Sequence, residues 1–380
     1  MSKRMNKITA VISLTFIAVF GSITMFSHKL PDSFSEDREL AVLPCIDAEG
    51  LYSGSVTAEL GSYVADHFAG RHLWVAAKTA LQTELSESIV NGVYISDDRM
   101  LYVESAQRSS EEVMDDAAAV NSFSVKYDGT VYFAAIPTSA GVYGDVLPSH
   151  MIINSEKQQI NDLYDALGND IRKIDAYDIL KMMKDNYIFY RNDTKWTCYG
   201  AYCVYKTVVQ KLGFQPTLYD KFSIEHVTDR FRGNLYNKTL SKRTKADILD
   251  IYRYKDAADD VVCECIGNDG KVSKGTVFDR SRLDTSNMYS MYLGEAAPVM
   301  KIKTSVNNEK KLLVIKDSYA DCFVPFLMQH YSEIAVVSPE KLDRPLTEEL
   351  DINEYGQTLF LFGIEDLSSR SDLTKIIERN

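Results

Sequence analysis

The sequence has no C-x-x-C pair among its six cysteines, Cys45, Cys198, Cys203, Cys263, Cys265 and Cys322, and no histidine at ligand spacing from them. No zinc site is expected, no other metal is implied, and no organic cofactor is implied. The even count permits disulfides outside the cell, but the spacing names no pairing. The chain also lacks basic excess. Its 42 Lys and Arg face 54 Asp and Glu, for a net charge of −12. That argues against a nucleic-acid partner and against broad contact with an anionic membrane surface. Tryptophan is scarce at two residues, whereas tyrosine is abundant at 23. Tyrosines line sugar-binding surfaces and also pack half-buried in ordinary cores, and the core role is the commoner one. There is no internal repeat and no low-complexity tract. With 45% hydrophobic and 25% charged residues, the composition excludes a mainly disordered chain. A length of 380 residues suits one large domain or a few smaller ones.

Only one long apolar run occurs. Lys3, Arg4 and Lys7 precede an uncharged stretch from Ile8 to Phe26. At about 1.5 Å per residue this nearly spans a hydrocarbon core. The basic flank places the rest of the chain outside the cytoplasm. Gly21, Ser22 and Ser27 are small, but there is no clean A-x-A cleavage site. The pattern favours an uncleaved single-span anchor over a removed signal peptide, in which case the globular part is membrane-tethered rather than secreted.

The expected organisation is a signal-anchor segment over residues 1–30, a polar stalk over 31–45, and an extracytoplasmic α/β domain over 46–380 with a mixed, β-rich insertion at about 214–304. A helix is expected from Val56 to Leu85, bent near Gly61 and Gly70. Short strands are expected around Ser96-Asp97-Asp98. Glu111 to Tyr127 reads as a helix, Thr130 to Ile136 as a strand, Ser155 to Leu167 as a helix and Ile171 to Ala176 as a strand. Short links between strand, helix and strand imply parallel pairing. Ala201, Val204, Tyr205, Val208 and Leu212 recur at helical spacing, stopped by Gly213. Leu312 to Ile315 form an unbroken apolar run, as in a strand buried on both faces. A helix is expected over 320–330, beginning nearer Phe323 because of Pro325, followed by strands at 333–337 and 358–364.

Ligands of open α/β sheets sit at the carboxyl ends of strands. Asp317 and Ser318 occupy that place. A serine there is exposed and close to free backbone N–H groups that suit a developing oxyanion. The competing role for either residue is a helix N-cap, which position alone favours. Asp193, Thr194, Lys195 and Trp196 precede the helix near Thr197. They read either as an acid and a base able to activate a serine, or as a capped helix start facing the positive dipole end.

In order along the chain, Glu36-Asp37-Arg38, Leu40, Pro44, Asp66-His67-Phe68, Arg71, Pro137-Thr138, Tyr190 to Thr197, Gly200-Ala201 and Val314 to Tyr319 resemble the DHHW protein family. That family is related to the alginate O-acetylation proteins of the SGNH-hydrolase-like group. The resemblance covers about residues 35 to 340. It implies an SGNH-hydrolase-like sheet with flanking helices, and a Ser, His and Asp set that moves acetyl groups onto or off a cell-surface polysaccharide. The serine maps to Ser318, the aspartate to Asp193 and the histidine position to Lys195. Tyr190, Trp196 and Tyr319 are the accompanying candidates for substrate contact. The implied partners are the polysaccharide and a membrane protein that donates the acyl group.

Lysine in place of histidine departs from the pattern. Histidine near pKa 6.5 accepts a serine proton at neutral pH, whereas lysine near 10.4 is charged. Two readings remain open. One is a serine-dependent O-acetyltransferase or acetylesterase that works through lysine. The other is a catalytically impaired relative that binds glycan or serves as a scaffold.

Overall fold

The computed structural model describes residues 3–85, 88–103, 110–148, 151, 155–256, 261–294, 297–365, 367 and 373–376. The chain divides into two compact units. One comprises Met1–Asn91 with Tyr236–Arg243, the other Gly92–Leu235 with Thr244–Asn380.

The first unit begins with the apolar helix Lys3–Phe26. Its stretch Met5–Phe26 is long and apolar enough to cross a membrane, and it is unburied. Phe16 and Phe20 pack against the Trp74 ring, and Phe20 stacks on Phe68. The segment expected as a stalk pairs Asp32–Ser33 with Arg38–Glu39. The helix expected over 56–85 is two helices, Ser55–Asp66 and Arg71–Glu84. The break falls at Gly70, whose φ of +70° suits a residue without a Cβ. No break occurs at Gly61, which lies inside the first helix with open space around it.

The second unit is built on an eight-stranded mixed sheet. In chain order its strands are β1 (Thr130–Ile136), β2 (Arg172–Asp175), β3 (Val262–Ile266), β4 (Val272–Lys274), β5 (Val299–Lys303), β6 (Lys311–Lys316), β7 (Glu333–Val337) and β8 (Gln357–Gly363). Their order across the sheet is β4-β3-β5-β7-β6-β8-β1-β2. The strands β7, β6, β8, β1 and β2 pair in parallel. The strands β5, β3 and β4 extend that core antiparallel.

Alternate side chains enter two separate cores. On one face lie Tyr132, Ala134, Val314 and Leu361, on the other Phe133, Ala135, Ile315 and Phe360. Burial of both faces explains the continuous apolar runs. The helix Cys198–Lys211 covers the first face through Ala201, Val204, Tyr205 and Val208. The helices Ser110–Lys126 and Glu156–Ala166 cover the second through Val120, Phe123, Ile160 and Leu163. The stretch 214–304 divides between roles. Phe222–Phe231 and Asp247–Tyr254 form a separate antiparallel ribbon, while β3, β4 and β5 belong to the main sheet.

One expected helix is corrected. Residues 320–330 contain only short 3-10 turns, Ser318–Ala320 and Val324–Leu327. Cys322, Phe323, Val324, Phe326 and Leu327 are all buried, so no polar face remains to define an amphipathic helix. Pro325 further removes a helical hydrogen bond.

Candidate active site

Strand β6 delivers Asp317 and Ser318 to the carboxyl edge of the sheet, beside the end of β8. Asp317 is a strut. Its Oδ1 accepts from the backbone N–H of Tyr319 at 2.8 Å and its Oδ2 from that of Gly363 at 2.5 Å. The capping role considered from sequence thus belongs to Asp317, and it ties the β6 turn to the end of β8. Ser318 is half-buried. Among the described residues neither its Oγ nor its backbone N–H has a hydrogen-bond partner. A free hydroxyl and a free N–H on one residue, held by locked neighbours, suit a nucleophile and an oxyanion donor.

The second segment is a narrow loop closed by backbone bonds from Tyr190 to the Lys195 carbonyl and from Thr197 to the Ile188 carbonyl. Buried Asp247 fastens one side, accepting from the backbone N–H groups of Arg191 and Asn192 and from the Tyr187 hydroxyl. Asn234 fastens the other through Thr194. Thr197 caps the following helix by accepting from Gly200 at 3.2 Å.

Asp193 is buried, with its side chain 4% exposed. Its oxygens accept from the backbone N–H groups of Lys195 at 3.0 Å and Asn234 at 2.9 Å. Gly233 passes so close to Asp193 that a Cβ there would collide with the carboxylate. The Lys195 ammonium lies 3.6 Å from Asp193 Oδ1, with 15% of its side chain exposed, and 5.1 Å from the centre of the Tyr289 ring.

Tyr319 joins the two segments. Its hydroxyl donates to the Thr194 carbonyl at 3.0 Å, and its own carbonyl accepts from Trp196 Nε1 at 2.8 Å. Trp196 also stacks on Phe323 at 6.0 Å. These bonds dock the neighbours of Lys195 on the neighbours of Ser318. Tyr190, Trp196 and Tyr319 are each at most 1% exposed. They form the wall behind the site, and in this structure none has ring surface open to a ligand.

Sequence reasoning missed a second ion pair. Lys316 Nζ lies 2.5 Å from Asp321 Oδ1, and both side chains are nearly buried. Burial pushes the Asp321 carboxyl up, and the charges of Lys316 and Lys195 oppose that rise. Glu156 was missed as well. It is buried and holds the turn after β1 by accepting from the Thr138 N–H at 2.8 Å and hydroxyl at 2.5 Å. Burial also raises its carboxyl. Lys316 and Asp321 are five residues apart across the turn after β6, and Glu156 and Thr138 are 18 apart; neither spacing marks a partnership in the sequence. Among the described residues no group of His, Cys, Asp and Glu is arranged to hold a metal.

The fold and the motifs have relatives. A DHHW family protein from Eubacterium siraeum superposes with a TM-score of 0.64 at 22% identity, over 76% of this chain and 96% of its own. Bacillus cereus PatB1 with a sulfonyl adduct superposes with a TM-score of 0.64 at 16% identity, over 75% of this chain and 98% of its own. The O-acetyltransferase domain of Pseudomonas putida AlgJ gives 0.47 at 14% identity, over 75% and 95%. No curated protein matches in sequence. The sequence profile of the DHHW protein family matches residues 77–337, more than half of the chain and inclusive of both site segments; the chain belongs to the DHHW family.

Proposed function

We propose that this protein is a membrane-anchored, extracytoplasmic acyl-transfer protein that moves acetyl groups onto or off a cell-surface polysaccharide through Ser318. The observation that carries the reading is Ser318 at the carboxyl edge of the sheet, its Oγ and N–H without a partner among the described residues, next to Tyr319, which is bonded to Thr194 and Trp196 on either side of Lys195. In PatB1, which shares the fold, a sulfonyl group has been captured as an adduct. Sulfonylation of an activated hydroxyl would be the corresponding chemistry here.

In the proposed reaction Ser318 Oγ attacks the acetyl carbonyl of the donor. Its proton passes to the neutral form of Lys195, and the Ser318 N–H binds the oxyanion. Collapse of the intermediate returns the proton to the donor's leaving oxygen and leaves acetyl-serine. A polysaccharide hydroxyl, or water, then takes the acetyl group by the reverse sequence. Asp193 orients Lys195. A membrane protein would supply the donor, and the helix Lys3–Phe26 would keep the site beside it.

The charge arrangement bears on rate. An ordinary lysine, near pKa 10.4, is an ammonium at pH 7, and the Lys195 Nζ has a carboxylate 3.6 Å away. The neutral base is then scarce at pH 7. This favours, as a second reading, a relative with weak turnover that holds polysaccharide. The burial of Trp196 and Tyr190 moves any such binding surface away from those rings.

The test is intact mass of the full chain in detergent after treatment with a fluorophosphonate. The reading expects one adduct, absent from Ser318→Ala. No adduct on folded protein, or an adduct unchanged in Ser318→Ala, removes Ser318 as the nucleophile.

A further inference from the structure

Within the first unit, the apolar helix Lys3–Phe26 carries neighbours along its outer end. Phe16 and Phe20 meet the Trp74 ring edge-on, with ring centres 6.0 Å and 5.7 Å apart, and Phe20 stacks on Phe68 at 5.8 Å. The Ala69 backbone N–H donates to Thr24 Oγ1 at 3.0 Å. Phe20 and Phe16 lie six and ten residues before Phe26, where the helix ends, which is about 9 Å and about 15 Å at 1.5 Å per residue. A helix that crosses a hydrocarbon core about 30 Å thick holds both rings between its outer edge and its midplane. Phe68 and Trp74, in contact with them, share that depth.

The helix Arg71–Glu84 is fitted to such a place. Thr79 is buried and its hydroxyl donates to the Thr239 carbonyl at 2.7 Å, which turns that side of the helix inward. Leu73, Trp74 and Leu81 lie on the other side and are 65%, 47% and 61% exposed. Trp74 Nε1 donates to the Ala69 carbonyl at 3.3 Å, so the ring needs no water partner in an apolar medium. The charge at this end is paired, Arg71 with Glu36 and Asp66. Lys78 is exposed and has a stem long enough to reach headgroups.

We propose that the helix Arg71–Glu84 lies in the outer leaflet beside the anchor, with Leu73, Trp74 and Leu81 against lipid acyl chains. The occupant of this face is the bilayer. What selects it is the contact of Trp74 with side chains of the spanning helix, at a depth where lipid is the surrounding medium. The inference rests on the membrane anchor of the proposed function and is independent of the chemistry at Ser318. Apolar burial holds the face, and charge does not, since a chain of net charge −12 gains nothing from anionic lipid. Tryptophan and leucine are the side chains that interfacial helices bury at this level. The helix is thus a second hold on the bilayer. It fixes how the first unit is turned about the anchor, which a single spanning helix leaves free.

The chain has two tryptophans, and Trp196 is fully buried, so lipid-dependent fluorescence reads Trp74. Full-length protein is reconstituted in phosphatidylcholine vesicles, with and without lipid that carries a nitroxide high on its acyl chain. The expected result is a loss of emission with the nitroxide lipid. The loss should be absent from Trp74→Phe and retained in Trp196→Phe, where Trp74 is the sole fluorophore. Either variant assigns the loss if the other does not fold. Leu73→Asp should shift Trp74 emission to longer wavelength and weaken the loss. Extraction of the same vesicles with alkaline carbonate checks the anchor. Protein released by carbonate would overturn the anchor, and the proposal with it. Protein retained, with Trp74 emission untouched by nitroxide lipid, would overturn the lipid contact and leave the anchor standing. Protection of Trp74 from aqueous iodide in that case would assign the face to a second copy of the chain.

Discussion

Two clusters in this molecule each contain two acids and two bases, and they are built to different ends. In the first unit, Arg38 binds Asp66 through both terminal nitrogens and Glu36 through Nε, and Arg71 binds Glu36 and Asp66. Asp66 also accepts from the backbone N–H of Ala41 at 2.9 Å. Guanidinium forks fill the carboxylate lone pairs and fix geometry. This cluster clasps the segment after the apolar helix to the end of the helix Ser55–Asp66. In the second unit the bases are lysines. Lys195 sits at a loose 3.6 Å from Asp193, and Lys316 pairs with Asp321 near Ser318, whose hydroxyl has no partner among the described residues. Lysine is a compact charge on a flexible stem that changes protonation far more readily than arginine. The comparison teaches that charge count does not separate a clasp from the proposed reaction centre. Donor geometry and a hydroxyl without a partner among the described residues do.

The contrast can be broken most severely at Ser318. Ser318→Ala is expected to lower acyl turnover by about 10³-fold or more while leaving circular dichroism unchanged, because the turn is closed through the Ser318 backbone carbonyl, which alanine keeps. Lys316→Met strands the buried Asp321 carboxylate and should cost about 3–5 kcal/mol in thermal or denaturant unfolding of the second unit. If Lys316→Met leaves stability unchanged, the pair is not the support described here. Lys195→His is expected to raise labelling or turnover at pH 7 by about 10- to 100-fold, since a neutral imidazole accepts the serine proton there. An equal or lower rate in a folded variant removes Lys195 from the role of base.

The clasp gives the smallest effect. The forks and the backbone bond hold the Asp66 carboxyl down at about 2, with the Arg38 bonds the largest cause. A depressed carboxyl contributes stability that is present above the unfolded pKa near 3.9 and is lost as pH falls toward 2. The full shift corresponds to about 2.6 kcal/mol. Arg38 is 38% exposed, and solvent screening reduces this to about 1 kcal/mol. Hydrogen exchange at the Ala41 amide should be faster in Asp66→Asn than in wild type above pH 5, and the two should converge near pH 2. A gap that persists at pH 2 would show that the carboxylate charge is not what holds the clasp.

How far the sequence discloses this structure depends on where the information lies. Strand β6 is legible because burial on both faces demands an unbroken apolar run. The helix Cys198–Lys211 is legible because Thr197 caps it and one face is apolar. The turns over 320–330 are not, since a segment buried on every side carries no periodicity. Ser318 is legible from its place at a strand end. Its support is not, because Asp321 pairs back to Lys316 through a turn that local pattern presents as a helix. Aromatic residues beside a motif read alike whether they face a ligand or the core. For Trp196, Tyr190 and Tyr319 only the fold supplies the answer, and it buries all three.

The most direct test of a Ser318 nucleophile served by Lys195 is the rate of fluorophosphonate addition to Ser318 in the full chain across pH 7 to 9. A base that must first lose an ammonium proton predicts a rate that climbs about tenfold per pH unit toward the ordinary lysine value near 10.4. A rate that stays flat across that range, or no addition to folded protein, would contradict the account.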